Sequence, residues 1–198
     1  MQKKSEAIIL MAFLVAILAG LSYNYNHGGL SAITGAQSTV SVPSSATIMS
    51  YFAIAAGGSL ETPGIVWSNI AALPAIDIPA DADYSGVGSA TGYFLSISPD
   101  SNVNVDMCIS ASGPLTSGLN TIPISGYTWS SSAINDALNP AGPAGSSPMT
   151  TAYALDGANF APGGTDYFRF WLDVPSGQQA GTYTNTINLK GVQNGQPC

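Results

Sequence analysis

Few residues in this chain are equipped for chemistry. The single histidine, His27, stands in "YNYNHGG". A His-dependent triad would have to be assembled in that Gly- and Asn-rich stretch, and a solvated imidazole is the expected state. Serine is abundant, but there is no Gly-x-Ser-x-Gly elbow and no base spaced to activate a hydroxyl. Asp77, Asp81 and Asp83 in "DIPADADYSG" offer oxygens of the kind Ca²⁺ takes. Their spacing lacks the EF-hand order and its bidentate Glu, so a solvated acidic loop is expected. The remaining carboxylates fall singly on loops or on outward strand positions, without the paired arrangement that glycoside hydrolysis needs. Lys190 shares a strand face with Thr and Asn, which argues for a solvated amine rather than the buried one an isopeptide bond requires. No catalytic residue, metal site or cofactor is expected, and the chain does not read as an enzyme.

The two cysteines, Cys108 and Cys198, show no C-x-x-C and no metal-ligand spacing. An even count in an exported chain favours a disulfide. The bond would staple the end of the sequence onto the outward side of a mid-chain strand. Two free thiols, or a bond between subunits, are the alternatives.

Charge excludes further classes. Charged residues make up 8% of the chain, and four basic residues oppose eleven acidic ones, where soluble domains average roughly 25% charged. Beyond Lys3 and Lys4 the only basic residues are Arg169 and Lys190. Such a chain cannot neutralise a phosphate backbone, so nucleic acid is not an expected partner, and attraction to an anionic membrane surface is equally poor. A surface with so little charge fits one covered by partners. No Asn-x-Ser/Thr sequon is present to let N-glycans cover it instead.

The elements that must position these residues begin with "MQKKSEAIILMAFLVAILAGLS". A short basic start precedes an apolar run of about 15 residues, below the ~20 that span a bilayer. Residues 1–21 fit a cleaved, helical secretory signal peptide, with small residues near the cut. A type IV pilin-type leader cut near Ala7, or a retained anchor, are the rival readings. All three place the body outside the cell, and cleavage leaves no membrane attachment.

The body, 43–198, alternates with the period of strands rather than of helices. In 167–174, Phe168, Phe170, Leu172 and Val174 form one apolar face. In "SNVNVDMCIS", Val103, Val105, Met107 and Ile109 point one way and Asn104, Asp106 and Cys108 the other. "YTNTINLKGV" alternates Tyr183, Ile187 and Leu189 with polar residues, and with 167–174 it reads as a hairpin. "GYFLSIS", "ATIMSYFAIAA" and "GIVWSNI" supply further strands. Gly57-Gly58, Pro63-Gly64, Pro99-Asp100 and Pro175-Ser176-Gly177 punctuate them. Residues 134–148 read as an exposed loop, with one helical turn expected within 132–138. The expected fold is all-β, an antiparallel jelly-roll-like or Ig-like sandwich.

Three stretches carry a resemblance: "SNVNVDMCISASGPLTSGLNTIPISGYTWS", "FRFWLDVPSGQQAGTYTNTINLKGV" and "STVSVPSSATIMSYFAIAA". Behind a signal peptide, this arrangement resembles the archaeal bundling pilins and the wider TasA-like (camelysin-like) biofilm fibre proteins. The resemblance implies a jelly-roll-like sandwich that polymerises by donor-strand complementation into extracellular filaments supporting cell–cell contact. The subunit's partner would then be another copy of itself. Residues 22–42 are the expected donor, with Leu30, Ala32, Ile33, Val40 and Val42 as its apolar members. Phe168, Phe170, Leu172, Val174, Ile187 and Leu189 are the expected lining of the acceptor groove. A type IV pilin-like subunit that keeps its N-terminal helix, or a monomeric cell-surface adhesion module, are the alternative functions.

Overall fold

The structure is a computed structural model that describes residues 43–83, 92–136 and 138–198. The leader over 1–21 and the donor over 22–42, with Leu30, Ala32, Ile33, Val40 and Val42, lie outside the described residues. The chain divides into two units, Met1–Thr47 and Ile48–Cys198. Of the first, residues 43–47 are described; they are exposed and carry no regular structure. The second contains eleven strands among the described residues: β1 (Ile54–Gly58), β2 (Ala75–Pro79), β3 (Tyr93–Ile97), β4 (Val105–Ala111), β5 (Leu115–Ser117), β6 (Asn120–Ile122), β7 (Tyr127–Ser132), β8 (Ser147–Pro148), β9 (Ala154–Phe160), β10 (Thr165–Val174) and β11 (Ile187–Gln193).

All pairings are antiparallel. The first sheet runs β1-β3-β10-β7-β8, and β2 also pairs with β10; the second runs β11-β4-β9; β5 and β6 form a small ribbon. The fold is β-sandwich-like, as the alternation predicts. Its core is built from both inner faces: Tyr93, Leu95, Phe168, Phe170 and Leu172 from the first sheet, Val105, Met107 and Ile109 from the second. Strand β10 is the spine. Its inward positions pack Phe168 parallel to Phe170 with centroids 5.8 Å apart, and Tyr93 and Tyr127 meet Phe170 edge-on at 5.3 and 6.0 Å. Such pairs add about 0.5–1.5 kcal/mol each beyond area burial.

The expected hairpin over 166–192 is not formed. β10 lies in the first sheet and β11 in the second, so 175–186 crosses between layers. Alternation reveals which face of a strand is buried and is silent on which sheet buries it. Two other expected strands shrink or vanish. In "ATIMSYFAIAA" pairing begins only at Ile54, and Ile48 and Met49 are more than four-fifths exposed. "GIVWSNI" forms no strand: it is held by isolated bonds, Trp67 Nε1 donating to the Ile78 carbonyl (3.0 Å) and Asp81 N–H to that of Val66 (2.8 Å). Residues 132–136 form no helical turn, and the loop that follows includes a buried Pro140. Among the described residues no helix is long and apolar enough to cross a membrane.

Strand β4 is buried at every residue, so Asp106 and Cys108 do not face solvent as expected. The segment after β11 covers them. Cys108 is bonded to Cys198, and the Asp106 carboxylate accepts from Asn159 N–H (2.7 Å), Asn194 Nδ2 (2.7 Å) and Gly195 N–H (2.8 Å). Burial alone would raise the Asp106 pKa; these donors together hold it below the usual carboxylate range.

Candidate functional site

The second sheet ends at β11, which pairs with β4 along one edge; among the described residues no strand pairs with the other. β1, the outer strand of the first sheet, packs on the inner face of β11: a side chain added at Gly191 would meet Ile54 and Phe52 at 3.1 Å and Val105 at 2.9 Å. Beside these two edges a groove of about 1220 Å³ opens between the sheets. Unpaired strand edges template the addition of another strand.

Each wall of the groove is fixed to the body by its own bonds. One wall is the strandless chain over 60–73. Trp67 pins it, packing edge-on against Tyr127 with centroids 5.0 Å apart. The Asp81 carboxylate accepts from Ser68 N–H at 2.9 and 3.1 Å. The other wall is 178–186. Its Thr184 exchanges backbone bonds with Thr116 of β5 (2.9 and 3.0 Å), and Tyr183 donates its hydroxyl to the Gln179 carbonyl (2.8 Å) while accepting from Gln178 Nε2 (2.7 Å). The floor is apolar: Leu115, Ile122, Tyr127 and Val174. Burial, and then the neighbouring Tyr93, pushes the Tyr127 hydroxyl well above its ordinary pKa, so it stays a protonated donor.

Of the residues expected to line an acceptor, Val174, Ile187 and Leu189 border this groove. Ile187 and Leu189 are half-buried on the edge strand. Phe168, Phe170 and Leu172 do not reach it; they are 0–3% exposed in the core. All six share the same alternation; Ile187 and Leu189 reach the groove from the second sheet, and Val174 reaches it from the end of β10, past the core positions of Phe168, Phe170 and Leu172. The sequence reading missed the wall over 60–73 and the floor residues Leu115 and Ile122. "GIVWSNI" is the one signal that pointed there, an apolar run with no partner strand.

The other candidates are accounted for. Asp83 pairs with Arg169, Nη2 to Oδ2 at 2.9 Å, and the guanidinium lies 5.1 Å above Trp171. Asp77 N–H donates to Asp173 Oδ1 (2.7 Å). Asp77 and Asp81 are exposed, as expected of a solvated acidic loop, although the Asp81 carboxylate also accepts from Ser68 N–H; Asp83 is the one held in an ion pair. Among the described residues no group of three or more His, Cys, Asp or Glu is placed to hold a metal. Lys190 is not solvated as expected: its amine donates to the Cys198 carbonyl and sits 4.2 Å from the centre of the Tyr153 ring. The cysteines pair within the chain, with Cα atoms 5.8 Å apart. His27 lies outside the described residues.

These features define a disulfide-stapled, antiparallel β-sandwich-like protein with an apolar-floored groove along a sheet edge that no described strand pairs. Comparison with protein-family profiles, with curated proteins and with solved structures returned no match.

Proposed function

We propose that this protein is the structural subunit of an extracellular filament, polymerising head-to-tail by donor-strand complementation. Residues 22–42 of one copy enter the groove beside β11 of the next, completing a jelly-roll-like sandwich. The observation that carries the reading is the open edge of β11 next to an apolar floor. An extended segment there gains backbone bonds along one side and buries its alternate side chains below. Leu30, Ala32, Ile33, Val40 and Val42 are the side chains so placed. The contact is heterologous and does not close on itself, so it propagates as a fibre. The sparse surface charge fits a molecule that spends its life packed against copies of itself.

The test is electron microscopy and light scattering of the secreted full chain and of a variant lacking 22–41. The full chain is expected to form filaments, and the truncated one to remain a folded monomer that binds a peptide spanning 22–42. Leu189→Asp in the acceptor will weaken that binding. Normal filaments from the truncated protein overturn the proposal. A filament whose subunits begin near Ile8 points instead to a retained N-terminal helix, and a full chain that stays monomeric at high concentration to an adhesion module.

A further inference from the structure

The inward face of β10 reads Asp166, Phe168, Phe170, Leu172, Val174. Asp166 is therefore at a core position, and it is 0% exposed. Opposite it stands Asp156 of β9, brought there by an irregularity in the strand. Cys108 pairs with Leu155 and Met107 with Gly157, so one step along β4 spans two along β9, and Asp156 is the extra residue. A bulge of this kind re-aims a side chain. Gly157 leaves the room: a Cβ there would stand 2.4 Å from the Phe160 ring and 3.2 Å from Asp166 Oδ2. The carboxylates thus do not all fall singly on loops or outward positions, contrary to the expectation from sequence; phase with Phe168 and a bulge put these two inside.

All four carboxyl oxygens are buried, and none accepts a geometrically sound hydrogen bond from another described group. The two carboxyls lie within hydrogen-bonding reach of each other. The Ser131 hydroxyl donates instead to the Asp156 carbonyl (3.2 Å). The N–H groups of Tyr167 and Ser132 approach Asp166 but do not meet hydrogen-bonding geometry. Among the described residues no cation faces the pair. β3 and β7 carry no charged residue, and β9 none besides Asp156. Arg169 of β10 is held by Asp83, Asp173 accepts from Asp77 N–H, Asp106 of β4 is bonded on the far side of its strand, and Asp136 after β7 accepts from Leu138 and Asn139.

We propose that Asp156 and Asp166 form a proton-sharing carboxyl pair that clasps the two sheets together, so that the subunit is most stable in acid and loosens as the pair ionises. Two like charges at this separation in a dry site cannot both ionise readily. Burial pushes Asp156 up to about 6; burial, and then the charge of Asp156, pushes Asp166 up to about 9. Both lie above the ordinary value of about 3.9, so the folded chain binds more protons than the unfolded one between about pH 4 and 9. The pair's contribution is complete below about pH 4 and is lost as pH rises through the folded values. Asp106 and Asp136, whose carboxyls are held low, act only at the acid end of that range.

The experiment is urea unfolding of the full chain at fixed protein concentration from pH 5 to 9, with Asp156→Asn and Asp166→Asn, and with chelator or added Ca²⁺. The wild-type folding constant is expected to fall by up to tenfold per pH unit between about 6 and 9. An amide imitates the protonated acid, so either variant flattens that slope. Should the variants fail to fold, the infrared band of a protonated carboxyl in the wild-type protein at pH 7 decides. Its absence, a wild-type constant that is flat or rises with pH, or an unchanged slope in folded variants overturns the proposal. So does stability at pH 8 that chelator removes and Ca²⁺ restores, which would make the shared species a cation.

Discussion

Replacing Cys108 and Cys198 together by alanine will lower stability by about 5–6 kcal/mol. The cross-link joins residues 90 apart in sequence. In the chain-entropy model, opening a loop of that length restores about 15 cal/mol/K to the unfolded chain, or about 4.6 kcal/mol at 25 °C. The native side changes less. Without the bond, the segment after β11 keeps the bonds from Asn194 and Gly195 to the Asp106 carboxylate, 2.7 and 2.8 Å. Cys108 is 0% exposed, so alanine also leaves a sulfur-sized gap, adding about 1 kcal/mol. With a urea slope of about 2 kcal/mol/M, the midpoint falls by about 2–3 M. Equilibrium unfolding followed by tryptophan fluorescence reads it, since Trp129 and Trp171 sit in opposite faces of the first sheet and both are buried. A shift below about 0.5 M, with the slope unchanged, would mean that the cross-link contributes little and that Asp106 and Lys190 alone anchor the tail.

Two further outcomes follow from the same contacts. Asp106→Ala removes the acceptor of three bonds and leaves their donors unsatisfied, a loss of about 3 kcal/mol; because its pKa is held low, its stabilisation is present above the ordinary carboxylate value and is lost as pH falls, so the variant's acid limb in thermal unfolding will be flatter than the wild type's. Gly126→Ala places a Cβ 2.6 Å from the Asp173 backbone carbonyl, and a strain of about 1–3 kcal/mol will show as a lower Tm; an unchanged Tm would mean that the turn before β7 yields freely.

The layers of this fold were legible wherever one strand face is apolar and the other polar. "DYFRFWLDV" announced β10 with its inward set, and "GYFLSIS" announced β3. Pairing was not legible. β10 and β11 share a pattern, and the choice of sheet is made by 175–186 and by packing over long sequence separations. Segments between the layers were misread for the same reason. "GIVWSNI" is apolar because it walls a groove and Trp67 packs on Tyr127, not because it joins a ladder. Cys108 seemed outward because alternation assumes that one face of a sheet meets solvent; here the chain's own last residues cover that face. Asp156 was invisible because a bulge breaks the alternation on which the reading depends.

The two places where the chain departs from the rules of a closed sandwich are of different kinds. An aspartate at a core position is a departure in residue type, and β9 is bent to give it a partner. Half-buried Ile187 and Leu189 on a bare sheet edge are a departure in pairing, and among the described residues nothing in the unit supplies the partner. Natural sequences tolerate such conflicts mainly where function needs them. A monomer could have capped β11 with a charge or a proline, the usual devices against edge-to-edge association. β11 carries one lysine, and Lys190 is turned to the Cys198 carbonyl and the Tyr153 ring. The one charge on the edge strand is thereby withdrawn from guarding it, as the proposed acceptance of a strand requires.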